Sequence, residues 1–207
     1  SINCTGSNDF VINAMPDTAT LTVADGVLGT AQTLRINSAS SSYTYTITYS
    51  SGSYNGTICS KTSSTSISWA PPLEIANNVV DGGYVYINVY FKAFNGSATV
   101  VDTSYTIICD IPSNSSTNPS MSFTIEDSEG YATTFGGYVK NRSKPKIKVS
   151  ASFKYGANLS KCEVTVDGKV YSGLEVIANS FATTGSKTIS VKVIDTRGNY
   201  TTSTSTI

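Results

Sequence analysis

The sequence predicts an all-β protein made of two tandem immunoglobulin-like or fibronectin-like antiparallel β-sandwiches. Three features of its 207 residues predict it. Apolar and polar residues alternate with period two along most of the chain, the mark of strands that bury one face and solvate the other. Turn-forming groups interrupt these runs at short intervals: Asp25-Gly26, Asn55-Gly56, Asp81-Gly82-Gly83, Asn95-Gly96, Asp167-Gly168 and Arg197-Gly198-Asn199, residue types that tolerate positive φ. The stretch Pro112 to Pro119 holds no residue worth burying and has the composition of a flexible connector. It divides the chain into a sandwich over 1–112, a linker over 113–118 and a second sandwich over 119–207, each half with room for about seven short strands.

The elements follow in order. Leu21, Val23, Leu34 and Ile36 are inward positions of the first strands. Tyr43 to Tyr49 is the clearest strand, with Tyr43, Tyr45, Ile47 and Tyr49 pointing one way and the intervening threonines the other. Pro71 to Val80 is the helical candidate, because proline precedes Leu73, Ala76 and Val80 at helical spacing; it is too short to organise a fold. Tyr84 to Phe91 turns Val85, Ile87 and Val89 inward, and Tyr105 and Ile107 follow on the next strand. In the second half the inward positions include Phe123, Ile125, Ile147, Val149, Val164, Val166, Ile189, Val191 and Val193. Asp167-Gly168 is the firmest hairpin, since Cys162, Val164 and Val166 alternate before it and Val170 begins the return strand.

Composition narrows the function. Serine and threonine occupy 60 positions while only 14% of residues are charged, so the surface is polar but nearly uncharged. Net charge is zero, which gives nucleic acid and anionic membranes no global attraction, and no apolar run approaches the length of a membrane span. The N-terminus carries no basic-then-apolar secretory segment. Histidine is absent, which removes the commonest general base, the commonest zinc ligand and the Ser–His and Cys–His nucleophile pairs. No G-x-S-x-G or phosphate-binding glycine loop occurs. The sequence points away from an enzyme and implies no cofactor.

Cys4, Cys59, Cys109 and Cys162 are widely spaced and form no metal-binding motif. A Cys59–Cys109 bridge stands as the alternative to buried free thiols. The seven N-x-S/T sequons are what a chain rich in Asn, Ser and Thr contains by chance. Charge separates the halves: three basic and seven acidic residues precede position 119, and eleven basic and seven acidic follow it, giving −4 and +4. Such a dipole suits head-to-tail docking of copies, hence a possible homo-oligomer, or contact of the basic half with an anionic polymer.

Three groups of residues could carry recognition or chemistry. Glu126-Asp127-Ser128-Glu129 reads as a solvated turn, with calcium binding or paired carboxylates as rivals. Lys144, Lys146 and Lys148 fall on one face of a strand whose other face is Ile147, Val149 and Ala151. They form a basic stripe that either contacts phosphate or carboxylate groups of a wall polymer or, with Pro145, protects an edge strand from pairing. Tyr84, Tyr86 and Tyr90 form an outward row with Asn88, broad rings and hydroxyls suited to stacking on sugars or to a protein contact. An ordinary cross-strand role for these tyrosines is the alternative.

Several strings together resemble a family. "SSSYTYTITYSSGSYNGTI" followed by "SWAPPLEIA", then "YVKNRSKPKIKVSASFKYGANLSKCEVTVDGKVYSG" and "KTISVKVIDTRGN", are similar to segments of an uncharacterised family of minor structural, tail-associated proteins of tailed bacteriophages, with tandem immunoglobulin-like domains. The likeness covers residues 20 to 207, and the first twenty residues look like the end of a preceding module. It implies a component of the virion's tail or adsorption apparatus, with no catalytic residues to carry over.

The expected function is therefore a non-enzymatic phage structural protein acting as a spacer or a host-surface binding module. Its expected partners are other virion proteins and host cell-wall polysaccharide, with no nucleic acid and no membrane. It is expected in the virion after assembly in the bacterial cytoplasm, a compartment that suits unpaired cysteines. The alternatives are a repeat module of a bacterial cell-surface adhesin, which would place it on that surface, and a carbohydrate-binding module of a larger protein.

Overall fold

The computed structural model describes residues 18–207. In the first half, β1 (Ala19–Thr22), β3 (Gln32–Ser38) and β6 (Ser66–Trp69) form one antiparallel sheet in the order β1-β3-β6. Its partner sheet contains β2 (Gly26–Val27), β4 (Tyr43–Ser51), β5 (Tyr54–Thr62), β7 (Tyr84–Asn95) and β8 (Ala98–Asp110), in the order β2-β8-β7-β4-β5, with only β2 and β8 parallel. Leu21, Leu34 and Ile36 from the first sheet meet Tyr45, Ile47, Ile87, Val89 and Phe91 from the second in one hydrophobic cluster. Each such fully buried side chain contributes about 1.5–3 kcal/mol.

The second half repeats the plan. Strands β9 (Ser120–Asp127), β10 (Pro145–Ser152) and β13 (Glu175–Ile177) pair in the order β13-β10-β9. Strands β11 (Leu159–Val166), β12 (Lys169–Ser172), β14 (Thr188–Asp195) and β15 (Tyr200–Thr206) pair in the order β12-β11-β14-β15. A second cluster fills the space between them, centred on Ile147, Val164, Ile189, Val191 and Val193. With the two-residue β2 set aside, both halves trace the same path: first, second and fifth strands in one sheet, third, fourth, sixth and seventh in the other. This is the immunoglobulin-like, fibronectin-like sandwich the alternation predicts. Every inward position named above is buried or packs against one of the two clusters.

Several local expectations need correction. Asn55-Gly56 is not a turn but lies within β5, opposite Tyr49; the chain reverses at Gly52-Ser53 instead. A Cβ on Gly56 would sit 2.8 Å from the Tyr49 ring, so the glycine serves a close approach of that aromatic. Gly52 has φ of +55° and the Asn78 side chain lies over it, which leaves room for no other residue. Pro71 to Val80 contains a 3-10 helix over Leu73–Asn78, and an unexpected short α1 (Tyr131–Phe135) follows β9. Cys59 on β5 and Cys109 on β8 are separated by β4 and β7 in one sheet, about 14 Å by strand spacing, which excludes their bridge; both are free, as is Cys162. Cys4 lies outside the described residues.

Residues 113–118 are also more ordered than a flexible connector. Thr117 is fully buried, its hydroxyl donates to the Pro112 carbonyl, and the N–H groups of Thr117 and Asn118 close a turn on the Asn114 carbonyl at 3.0 and 2.8 Å. Beyond this turn, Arg197 ties the second half to the first. The Asp195 carboxylate accepts the N–H groups of Arg197 and Asn199, both at 2.9 Å, and so shapes the β14–β15 hairpin with the arginine at its tip. The guanidinium then donates to the carbonyls of Ala76 (2.8 Å) and Val79 (2.5 and 3.2 Å) at the end of the 3-10 helix, and to those of Lys154 (3.1 Å) and Tyr155 in its own half. Burial draws its pKa down, while Asp195 acts in the opposite direction. Thr196 donates to Val80 O at 2.5 Å, Lys154 Nζ to Ser115 O at 2.6 Å, and the Tyr155 side chain packs against the first cluster.

Arg197→Ala strands these carbonyls at once and is expected to cost about 2 kcal/mol. Scanning calorimetry is expected to show one cooperative transition in the wild type resolving into two in the variant. A single transition at an unchanged temperature would show that the fork carries no coupling.

Candidate functional site

Alternation along β7 decides where its tyrosines go. Because Val85, Ile87, Val89 and Phe91 are buried, Tyr84, Tyr86, Asn88 and Tyr90 stand on the opposite, outer face of the five-stranded sheet. Exposures of 48%, 58% and 38% for Tyr84, Tyr86 and Tyr90 leave ring surface open on all three. The rings of Tyr84 and Tyr86 are 5.6 Å apart and nearly perpendicular, and the hydrogen bond between their hydroxyls, reinforced by the charge of Tyr84, raises the pKa of Tyr86. Asn88 Oδ1 accepts from Thr106 at 2.8 Å, and Tyr90 shares a hydrogen bond with Ser50 at 3.2 Å. Register places Asp110, Ile108, Thr106 and Ser104 of β8 beside this row, and Ser50 and Thr48 of β4 on its other side. Together they form a hydroxyl-rich platform set with aromatic rings, with Asp110 as the charge at its Tyr84 end.

At one end the platform drops into a cavity of about 420 Å³ lined by Ser51, Asn78, Val79, Asp81, Tyr84 and Tyr86, among others. Ser51 donates to Tyr86 O at 2.7 Å, and Asn78 Nδ2 donates to Ser51 O at 2.8 Å, so its floor is cross-braced. Sequence reasoning reached the tyrosine row through period two. It missed Asn78, Asp81 and Ser51, which arrive from the loop before β7 and the end of β4.

The lysine row needs correction on both of its readings. β10 is the middle strand of its sheet, flanked by β9 and β13, so it is no protected edge. Nor is it a bare basic stripe: Lys144 pairs with Glu129 (2.9 Å), Lys146 with Glu175 (2.6 Å) and Lys148 with Glu126 (2.6 Å). Pairing with these carboxylates raises the pKa of Lys144 and Lys148. The acidic run is thereby accounted for. Glu126 and Glu129 serve the lysines, while Asp127 accepts the N–H groups of Glu129, Ala132 and Lys144 at 2.9–3.1 Å and holds the turn into α1. Among the described residues no three His, Cys, Asp or Glu side chains group to hold a metal ion, and no helix is long and apolar enough to cross a membrane.

These features define a class: an all-β chain of two immunoglobulin-like sandwiches, bearing a tyrosine platform on the outer sheet of the first. The chain belongs to the family described as siphovirus protein of unknown function (DUF859), which matches residues 2–206. The match starts at residue 2, so it takes in the opening residues that the resemblance left out. No curated protein matches. Among solved structures the chain is similar to the fibronectin(III)-like modules of Clostridium thermocellum CbhA, at 15% identity and a TM-score of 0.36, covering 92% of this chain and 93% of that one. It is also similar to the class 5 fimbriae chaperone CfaA, at 10% identity and a TM-score of 0.27 over 90% and 98% of the two chains. For the YadV chaperone the values are 9% and 0.22 over 91% and 99%.

Two outcomes follow from the titrating groups. Burial pushes the Cys109 thiol up to about 11 and raises that of Cys162, so neither is a thiolate at neutral pH. Iodoacetamide labelling read by mass spectrometry is expected to reach both only after denaturation. For Asp127, burial acts to raise the pKa, but hydrogen bonds from Ser143 and the three N–H groups outweigh it and the net direction is down. A depressed folded-state value stabilises above the unfolded carboxylate range and loses that effect as pH falls through it. Asp127→Asn is expected to lower Tm by about 3 °C at pH 7 and to match the wild type below about pH 3.

Proposed function

We propose that this chain is a non-enzymatic structural component of the siphovirus virion, in its tail or adsorption apparatus, that holds a fixed spacing and presents its tyrosine platform to host-surface polysaccharide. The two sandwiches, over 1–112 and 119–207, act as one spacer braced through residues 113–118 and Arg197. Membership of a siphovirus family favours this over a bacterial adhesin repeat. The observation that carries the binding role is the row of exposed Tyr84, Tyr86 and Tyr90 on a sheet face rich in Asn, Ser and Thr, with Ile108 beside Tyr86 and Asp110 beside Tyr84. Sugars offer an apolar C–H face and a rim of hydroxyls, and such a platform meets both at low entropic cost. Lys144, Lys146 and Lys148 are each paired with a glutamate, so this row offers little net positive charge to an anionic polymer. Other virion proteins, and further copies of this chain aligned by the opposite charges of its halves, are the remaining partners.

Retention of the purified protein on walls of the phage's host tests the reading. A Tyr86→Ala/Tyr90→Ala variant is expected to lose at least about tenfold in affinity, and Lys144→Gln/Lys146→Gln/Lys148→Gln to bind like the wild type. The reverse pattern would move the contact to the lysines. Release of soluble sugar from the walls would contradict a non-enzymatic role, and absence of the chain from purified particles by mass spectrometry would contradict a virion component.

A further inference from the structure

The cavity at the foot of the tyrosine row has more definite chemistry than the platform beside it. We propose that it is a subsite for one uncharged pyranose unit of a polysaccharide, a proposal that rests on the platform's sugar-binding role and deepens it. Its volume, about 420 Å³, falls in the range of small-ligand clefts, roughly 300–1,000 Å³. The perpendicular rings of Tyr84 and Tyr86 make two apolar walls meeting at a corner, which can cover the C–H face and one edge of a sugar ring. Asp81 also lines the cavity, where a carboxylate accepts hydrogen bonds from ring hydroxyls.

Electrostatics set the class of sugar. The charged groups facing this end of the sheet are acidic: Asp81 on the loop before β7, Asp110 opposite Tyr84 on β8, and Asp25, whose carboxylate accepts Ile108 N at 2.8 Å. One cation comes near: Arg197, behind Val79, spends its fork on backbone carbonyls. A phosphate-bearing or uronic-acid unit would enter a negative field without a counter-charge, which is how a site rejects a ligand it could otherwise hold. The segment 78–82 that closes the cavity is the one Arg197 and Thr196 grip through Val79 and Val80, so the wall is held from behind.

The test is binding of the full chain, by titration calorimetry, to tetrasaccharides of glucose, galactose, rhamnose and N-acetylglucosamine and to poly(glycerol phosphate). At least one neutral tetrasaccharide is expected to bind. Tyr84→Ala, Tyr86→Ala and Asp81→Ala are each expected to weaken it about tenfold; all three side chains are on the surface, and unchanged melting temperatures confirm folding. Poly(glycerol phosphate) is expected not to bind the wild type. Sugar binding that falls with Tyr90→Ala but survives the other three variants would leave the platform as the binding face and overturn the subsite. Poly(glycerol phosphate) binding as tightly as any sugar would overturn the charge argument. Failure of every tetrasaccharide to bind the wild type would overturn both the subsite and the platform's sugar role.

Discussion

A strand that buries one face has only every second side chain to give to the core, and that constraint governs this molecule from end to end. Over the twelve residues of β7 the buried positions are Val85, Ile87, Val89, Phe91 and Ala93, all aliphatic or aromatic. The alternate positions are released from any duty to the core and hold Tyr84, Tyr86, Asn88, Tyr90 and Lys92. The high serine and threonine content is the same constraint read from outside, since both tolerate a pleated, half-solvated surface without bringing charge. An outer face with few charges follows from the way the inner face is filled, and recognition on it is written mainly in hydroxyls, amides and phenols, with Asp81 and Asp110 at one end.

The strings that carry the family resemblance are scattered along the sequence, yet three of them meet in space. The Trp-Ala-Pro-Pro segment leads into the 3-10 helix whose last carbonyls belong to Ala76 and Val79. The Tyr-Gly turn sets Tyr155 against the first core, with Gly156 beside the backbone of Asn77. The Asp-x-Arg-Gly strand end supplies Arg197, which bonds to both of the other pieces. Guanidinium geometry explains the choice of residue: a planar fork with five donors can serve several carbonyls at once, and an ammonium on a flexible stem cannot. Two small cores, each with limited surface to bury, are thereby given a shared joint stronger than a turn of Ser and Asn alone.

What the sequence made legible was what depends on near neighbours. Period two located the strands, their inward residues and the tyrosine row, and Asp167-Gly168 formed its hairpin because local chemistry alone decides it, with φ of 49° and 80°. What stayed hidden depends on register and long-range approach. Lys146 and Lys148 looked unpaired until β9 and β13 brought Glu126 and Glu175 diagonally across from them. Asn55-Gly56 has the composition of a turn, and only the Tyr49 ring arriving from β4 shows why the glycine sits in a strand. Arg197 was legible as a turn residue, whereas its partners more than a hundred positions upstream were not.

The same backbone that joins the halves also shapes the surface beside them. Residues 78–82 face the tyrosine corner with one side and offer Val79 and Val80 carbonyls to the second half with the other. Free loops of this length sample many conformations, and ordering one on ligand binding would subtract from affinity. Here the ordering is supplied by the fold, through Arg197 and Thr196 behind the segment and through the Asn78 amide clamped on Ser51 beneath it. A cavity formed in this way is set before a ligand arrives, and its shape depends on the two sandwiches keeping their relative position. Rigidity of the joint and definition of the cavity are therefore one property, and a chain that served only as a loose tether would have no need of either.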